Sequence, residues 1–400
     1  MKDGFLVIDA DRHVMEPSDL WDRYMPAAFR GRVKITGPTQ AGRFVDGQQV
    51  SDAFRLRGTE GAADDGGRHM FTGSPRYDAT FADAIASDFD PASNIRDMDR
   101  EGVDVGVLFP TLGLYIMWRD DIDPLLSAAI CRAYNTWLAE YCQYDPSRLK
   151  GVALIPLQDP ELAVEELRHA REQLGLVGIF WRPNLLCGRT LRDPDYFPIY
   201  EVASDLEAVV CVHEGARTVL GQAGSDRYSD FGRHVACHPL EQMLACLTLC
   251  GDGVLERFPK LKVAHLESGS GWVPFWLERM DEHWEHFSHG ASRTTPEAPS
   301  AYFKRQCMVS CEAGEEMVDS FTEHVGDDYL VMATDYPHPD CTDKFPDRTV
   351  GDLTTSSHVS DEAKRKILWD NPARLYGISE PPAVSRQASG NKDSSDRAYR

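Results

Sequence analysis

The sequence predicts an α/β fold of the (β/α)8 type, a TIM-like barrel with insertions after strands one and five. Three observations lead to this fold class. Eight apolar, β-rich runs are spread along the 400 residues, and helical patterns separate most of them. No G-x-G-x-x-G follows the first run, as a dinucleotide-binding doubly wound sheet would require.

Each of the eight runs is predicted to be a strand buried on both faces. Most are nearly continuous apolar stretches without polar alternation, which is typical of parallel strands covered by helices. In chain order they are FLVID (5–9), VDVGVLF (103–109), GVALIPL (151–157), LVGIFW (176–181), AVVCVH (208–213), LKVAHL (261–266), CMVSC (307–311) and YLVMAT (329–334).

Six further segments carry the apolar spacing of helices that cover a sheet with one face. They are residues 123–142, 159–175, 239–259, 270–287, 315–325 and 360–377. Strand and helix therefore alternate through most of the chain.

Two stretches interrupt this alternation. Residues 17–92 are long and acidic, and a second stretch, about 214–236, follows the fifth run. Both follow strands at the face where the catalytic loops of a barrel emerge, so we expect them to cover the active site. We expect residues 1–377 to form one barrel domain and the polar residues 378–400 to be disordered.

Composition and charge limit the possible partners. The formal net charge is -22, with 42% hydrophobic residues, which allows a large core and disfavours binding to nucleic acid or anionic membranes. No run approaches the roughly 18 apolar residues of a membrane span, and no signal sequence is recognisable, so we expect a cytoplasmic protein. The ten cysteines include no C-x-x-C pair and are expected to be mostly reduced core residues.

Polar residues that can bind metals end four of the predicted strands. Because the carboxyl ends of barrel strands converge on one face, these side chains are expected to lie together. Imidazole and carboxylate groups form a ligand set that suits zinc, manganese or iron. A single strand-end histidine is more often structural, but repetition at four strand ends indicates a metal site. The residues are Asp11 and His13, His213 and Glu214, His265 and Glu267, and Asp335.

The first strand carries an unusual alternation in LVIDADRHVMEP (6–17), where Asp9, Asp11 and His13 occupy every second position. Side chains alternate across a strand, so these three project to the same side. Such a face is costly in a core unless its groups are hydrated, paired or bound to a metal.

Five motifs resemble the amidohydrolase superfamily, and within it the branch that contains aminocarboxymuconate-semialdehyde decarboxylase and γ-resorcylate decarboxylase. They extend from the first to the eighth strand. The motifs are DADRH (9–13), VHEG (212–215), HLESGSGWVPFWLERMDEH (265–283), ATDYPHPD (333–340) and ILWDNPARLYG (367–377).

This resemblance implies a metal-dependent barrel and assigns the site residues. The implied metal ligands are Asp11, His13, His213 and Asp335, and His265 and Asp335 are the implied catalytic residues. Asp11 departs from the branch, which commonly has His or Glu there. Arg182 stands where binuclear relatives have a carbamylated Lys, and an arginine stays protonated. We therefore expect one divalent metal ion, Zn²⁺ or Mn²⁺, and no organic cofactor.

Three functions remain open from the sequence. The resemblance favours non-oxidative decarboxylation of a small aromatic or ring-cleavage carboxylic acid, with Asp335 transferring a proton and His265 orienting the substrate or assisting protonation. The same ligands would serve hydrolysis of an amide, a lactone or a carbon–carbon bond, because a bound metal ion can also activate water. A barrel that only binds or scaffolds is the third alternative, and superfamily membership alone does not fix the reaction.

Further residues are candidates for contact with the small-molecule carboxylic acid substrate or with the metal ligands. Arg182 offers a bidentate partner for a carboxylate, or pairs with a neighbouring acid. Glu214, Glu267 and His338 are candidate substrate-binding residues. Glu16 either fixes the His13 imidazole from behind or caps the segment that starts near Pro17.

An aromatic stripe on the helix after the sixth strand is expected in the core or in a subunit interface, because its members recur every four residues. The stripe consists of Trp272, Trp276, Met280 and Trp284. The resemblance also implies a homo-oligomer, with a dimer as the expected form.

Overall fold

The computed structural model describes residues 1–36, 42–49, 74–117, 119–213, 230–287, 295–379 and 381–382. Eight parallel strands lie side by side in chain order and helices surround them, which confirms the predicted (β/α)8 fold class. The strands are β1 (Ile8–His13), β2 (Val33–Thr36), β3 (Gly42–Val45), β4 (Gln48–Gln49), β5 (Val105–Phe109), β6 (Leu149–Ala153), β7 (Gly178–Trp181), β8 (Val209–His213), β9 (Val263–Leu266), β10 (Cys307–Glu312) and β11 (Leu330–Ala333).

The barrel consists of β1 and β5–β11. Neighbouring strands pair in parallel, for example with His13 opposite Phe109 and His213 opposite Leu266. The two edges meet through backbone hydrogen bonds, in which His13 donates to the Tyr336 carbonyl at 2.6 Å and Asp335 donates to the Asp11 carbonyl at 3.1 Å. Barrel closure thus brings the segment after β11 directly against the end of β1.

The helices cover the outside of the barrel, and their starts are encoded locally. Asp90, Asp123 and Asp159 each precede a proline, and their carboxylates accept hydrogen bonds from the first turns of helices α4, α6 and α7, an arrangement that satisfies exposed backbone donors. The helices are α1 (Leu20–Tyr24), α2 (Pro75–Thr80), α3 (Ala82–Ala86), α4 (Pro91–Glu101), α5 (Leu112–Ile116), α6 (Pro124–Cys142), α7 (Pro160–Arg168), α8 (Phe197–Asp205), α9 (Asp230–Cys246), α10 (Val254–Arg257), α11 (Val273–Phe287), α12 (Pro299–Gln306), α13 (Val318–His324), α14 (Gly351–Thr354), α15 (Asp361–Arg365) and α16 (Asn371–Tyr376).

Shorter helical turns extend several of these helices or connect them to strands. The π-helical turns are His169–Gln173, Leu247–Gly251 and Lys366–Asp370, and the 3₁₀ turns are Pro194–Tyr196, Asp327–Tyr329 and Pro339–Cys341.

The observed bounds differ from the predicted ones where polar residues lie in strands or helices are short. The first strand was predicted at residues 5–9 but runs from Ile8 to His13, so all three alternating polar residues are inside it. The third run was predicted to extend to residue 157, but β6 ends at Ala153, before Pro156, which lacks a backbone donor for the sheet. Helices α5, α8 and α12 were not predicted.

The described part of residues 17–92 contains helix α1, the antiparallel sheet of β2–β4, helices α2 and α3, and the start of α4. Most of the predicted second insertion, including Glu214, and nearly all of the tail lie outside the described residues. Among the residues that the structure describes, no helix is both long enough and apolar enough to cross a membrane.

Candidate metal centre at the barrel mouth

Four predicted ligands meet at the carboxyl end of the barrel. Asp11 and His13 lie on β1, His213 is the last residue of β8, and Asp335 follows β11 by two residues. The side chains of Asp11, His13 and His213 are fully or almost fully buried, and Asp335 is 7% exposed. Closure of the barrel between β1 and β11 therefore brings together residues that are more than three hundred positions apart.

The donor atoms are spaced as ligands around one ion. The Nε2 of His13 lies 3.5 Å from Asp11 Oδ1 and 3.3 Å from Asp335 Oδ1, and Asp11 Oδ2 lies 3.2 Å from His213 Nε2. Ligands at about 2.0–2.1 Å from a tetrahedral zinc ion are themselves about 3.3 Å apart. Two triads can hold an ion, namely Asp11, His13 and His213, and His13, Asp335 and His338.

The chemistry of the donors also fits a metal. Both carboxylate oxygens of Asp11, His13 Nε2 and Asp335 Oδ1 are buried and have no hydrogen-bond partner among the described residues, which is costly in a protein interior unless a cation satisfies them. His13 Nδ1 faces the Pro110 carbonyl at 2.8 Å, which directs Nε2 toward the carboxylates. Nitrogen and oxygen donors of this kind suit Zn²⁺ or Mn²⁺.

The electrostatics of the site are dominated by burial. Burial, followed by the charges of His338 and His213, holds the pKa of His13 well below its usual value, so the ring is neutral as metal binding requires. Burial raises the pKa of the Asp335 carboxyl well above its usual range, and the nearby Asp340 and Asp11 raise it further. The carboxylates therefore lie in an environment that favours a bound cation.

His338 lies between the metal cluster and the loop after β5. Its Nδ1 is 2.9 Å from Asp335 Oδ1, its Nε2 is 3.0 Å from the Thr111 hydroxyl, and its ring stacks on that of His13 with centroids 3.9 Å apart. Burial lowers the pKa of His338 to about 4. His338 was predicted to bind substrate, and the structure places it against the carboxyl group of Asp335.

Glu267 lies behind His213. Its Oε2 is 3.4 Å from His213 Nδ1 and 3.7 Å from Nδ1 of His238. A carboxylate at the second nitrogen of a metal-binding histidine orients that ring. The backbone of Glu267 has φ 49°, and that of Asp335 has φ 55°, so both residues that follow β9 and β11 adopt the strained left-handed conformation often found at functional sites.

One of the two predictions for Glu16 was that it fixes the His13 imidazole, but its described contacts lie elsewhere. Its carboxylate accepts hydrogen bonds from the backbone of Thr111 at 3.2 Å, Leu112 at 2.8 Å and Gly113 at 2.9 Å, while the Nδ1 of His13 is occupied by Pro110. Glu16 thus caps α5, a helix far from it in sequence, because barrel packing places the loop after β1 beside the loop after β5.

Arg182 lies just after β7 and is 3% exposed. Its guanidinium donates to Asn184 Oδ1 at 2.9 Å and to the Leu114 carbonyl at 3.4 Å. These two contacts are with a side-chain amide and a backbone carbonyl, and the alternative pairing of Arg182 with a neighbouring acid stays a prediction.

His265 is buried on β9, and its contacts point toward the helices. It pairs with Val212 in the sheet, one position before His213, and residues paired in a parallel sheet share a face, so His265 and His213 lie on opposite faces. Its Nδ1 is 2.7 Å from Gln242 Oε1 of α9, and its ring lies near that of Phe303 of α12. The structure does not bring His265 into contact with the four ligands.

Sequence reasoning missed several residues of the site. Thr111 follows the run VDVGVLFP, and its role depends on His338, 227 positions away. Lys344 lines a cleft of about 410 Å³ on the same face, together with Trp272 and Glu312, and its charge lowers the pKa of Asp335. Only the position of Thr111 at a strand end offered a signal in the sequence.

A closed parallel barrel with imidazoles and carboxylates at its mouth defines the class of metal-dependent barrel enzymes. The chain belongs to the amidohydrolase family, whose model, Amidohydro_2, matches residues 8–378. The resemblance identified in the sequence is therefore confirmed.

Similar proteins include decarboxylases. The chain is 27% identical over 300 residues to 2-amino-3-carboxymuconate-6-semialdehyde decarboxylase of Dictyostelium discoideum, covering 74% of this chain and 79% of that protein. It is 25% identical over 273 residues to γ-resorcylate decarboxylase of Polaromonas sp. strain JS666, covering 62% of this chain and 76% of the relative.

The fold also matches a crystal structure of dihydroxybenzoic acid decarboxylase from Polaromonas sp. JS666 with bound manganese and the inhibitor 2-nitroresorcinol. The TM-score is 0.62 at 19% identity, covering 94% of this chain and 98% of that one. This likeness shows that the two chains share a fold.

Proposed function

We propose that this protein is a metal-dependent carboxy-lyase that decarboxylates a small aromatic or ring-cleavage carboxylic acid without an oxidant. The proposal rests on the buried donor cluster of Asp11, His13, His213 and Asp335, found in a chain whose curated relatives include two kinds of decarboxylase. These four residues would hold one ion.

A single ion is favoured by the chemistry of His13. Both triads that can hold a metal include His13, and its Nδ1 already faces a carbonyl, which leaves the one lone pair of Nε2. One lone pair binds one ion, so the two triads, which share His13, belong to the same metal site. Arg182, in place of a carbamylated lysine, agrees with this proposal.

A divalent cation held by these four residues would supply Lewis-acid chemistry to the carboxylate of a bound substrate. Asp335 then delivers a proton to the ring carbon that bears the carboxylate. The bond between that carbon and the carboxylate breaks, its electron pair returns to the ring, and carbon dioxide leaves. Asp335 regains its proton from solvent, so one carboxylate and one proton yield one arene and one carbon dioxide.

Other residues would bind and orient the substrate. Arg182 and Lys344 supply positive charge at an otherwise acidic mouth. Glu267 would hold His213 in place, and Glu214 remains a candidate contact outside the described residues. For His265 we propose orientation of the substrate or assistance to protonation, exerted from the face of β9 opposite His213, where its ring contacts Gln242 and Phe303.

The test is a screen of hydroxybenzoates and ring-cleavage acids with zinc-loaded and manganese-loaded protein, with release of carbon dioxide as the measurement. His213→Ala, which removes one ligand, is the inactive control. Turnover of amides or lactones without carbon dioxide would favour the hydrolase alternative. Metal-free protein after metal-supplemented expression would favour a scaffold.

We further propose a homodimer in a reducing compartment such as the cytoplasm. Helix α11 leaves Phe275 59% and Phe287 69% exposed, and a partner subunit would cover this apolar surface. Of the stripe predicted to lie in the core or in a subunit interface, Met280 is buried and Trp272 and Trp276 pack against the core. All ten cysteines are unbonded and nine are buried, which fits a reducing compartment. Light scattering on purified protein measures the assembly.

A further inference from the structure

Four residues are connected by successive contacts from the loop after β1 to the proposed metal centre. The Glu16 carboxylate holds the backbone of Thr111, the Thr111 hydroxyl lies 3.0 Å from His338 Nε2, and His338 Nδ1 lies 2.9 Å from Asp335 Oδ1. All four residues are at most 7% exposed. Glu16, Thr111 and His338 thus connect to the Asp335 carboxyl group, and none of the three is among the four proposed ligands.

The two nitrogens of His338 face different groups. Nε2 lies 3.0 Å from the Thr111 hydroxyl, at hydrogen-bond distance, and Nδ1 lies 2.9 Å from Asp335 Oδ1. Thr111 therefore holds the His338 ring on one side, with the other nitrogen against the Asp335 carboxyl group.

Thr111 is itself held in place. Glu16 accepts hydrogen bonds from the backbone of Thr111, Leu112 and Gly113, and a buried carboxylate with several backbone donors forms strong, directional contacts. The hydroxyl of Thr111 is thus presented to His338 from a fixed backbone.

The contacts of Asp335 are divided unequally between its oxygens. The two imidazoles, His13 and His338, both make their shortest contact with Asp335 through Oδ1. A carboxylate fixed through Oδ1 presents Oδ2 in one orientation.

We propose that Thr111 and His338 are positioning residues that fix Asp335, with Oδ1 directed at the metal ion and Oδ2 toward the substrate. This inference rests on the proposed function for the role of Asp335 in proton transfer. The orientation of Oδ1 bears on metal binding alone and is testable without a substrate.

The experiment compares zinc affinity among variants by competition with a chromophoric chelator. Partners behind a metal ligand contribute about 10- to 100-fold in affinity or activity. We expect His338→Phe, which keeps a ring but loses both nitrogens, to weaken zinc binding by about that range. Thr111→Val, which replaces the hydroxyl with a methyl group, should weaken it by about tenfold at the lower end of that range.

Two further variants separate positioning from packing. Thr111→Ser retains the hydroxyl and should restore zinc affinity to within about twofold of the parent, far less than the 10- to 100-fold effect expected for a lost partner. Thr354→Val removes another buried hydroxyl, which donates to Asp3 at 2.6 Å, and should leave zinc affinity unchanged. With an identified substrate, Thr111→Val should lower kcat with little change in KM.

Parent-like zinc affinity in both Thr111→Val and His338→Phe would overturn the inference, and so would equal losses in the valine and serine variants. The comparison at Thr111 decides the question even if His338→Phe does not fold. If the variants show the expected zinc affinities but the parent releases carbon dioxide from no acid, the proposed reaction is refuted and the positioning role is supported.

Discussion

Arg12 lies between two proposed ligands in sequence, and its partner Glu101 offers a sharp test of how the barrel holds β1. The side chain alternates to the outer face of β1, where its Nη1 lies 2.7 Å from Glu101 Oε2 on α4 and 3.4 Å from Asp9 Oδ2. Its Nε donates to Asn94 at 2.8 Å. Arg12 and Glu101 are both completely buried.

Glu101→Ala removes the closest acid and leaves a buried guanidinium that cannot lose its proton. Removal of one partner from a buried ion pair costs about 3–5 kcal/mol, because the remaining charge is uncompensated. Unfolding entropy of about 2.1 cal/mol/K per residue over roughly 370 residues of the family match amounts to about 0.8 kcal/mol/K. The expected decrease in Tm is therefore about 4–6 °C.

The assay is thermal unfolding of chelator-treated protein, so that loss of metal does not contribute. Glu297→Ala is the matched control, because Glu297 pairs with Arg305 at 2.8 Å while both side chains are well exposed, and exposed pairs contribute about 0–1 kcal/mol. The expected cost is about 3–5 kcal/mol. If the Tm of Glu101→Ala nevertheless lies within about 1 °C of the parent value, the buried ion pair does not hold β1 as described.

Further predictions concern the metal and the chemistry. His13→Ala and His213→Ala should each lose most bound zinc while circular dichroism stays that of the parent, whereas exposed His283→Ala should keep it; unchanged zinc content in both site variants would contradict the ligand assignment. Metal analysis should find one tightly bound ion per chain, with no increase on addition of bicarbonate, and a second tight ion would refute the single-metal proposal. Asp335→Asn should lower turnover by about a hundred- to ten-thousand-fold, the usual contribution of a general acid or base, and near-parent turnover would exclude Asp335 as the proton donor. His265→Asn should retain zinc and lose turnover; loss of zinc would make His265 a ligand, and parent turnover would make it structural.

Local sequence patterns were sufficient for much of the architecture. The apolar runs predicted all eight barrel strands because strands buried on both faces must be apolar along their length. Asp-Pro pairs marked the starts of α6 and α7, because capping and proline geometry act within a few residues. Short helices such as α5 and α12 escaped prediction, since one or two turns show little periodicity.

The sequence by itself determined the fold class, the family and the strand ends that carry Asp11, His13, His213 and Asp335. These properties follow from residue type and spacing, which the chain carries locally. Only the tertiary structure decided which groups meet. It placed Glu16 on α5, Thr111 on His338 and His265 on the face opposite His213. Such contacts join positions separated by up to 227 residues, and they depend on barrel closure and on the register between strands, neither of which short-range patterns encode.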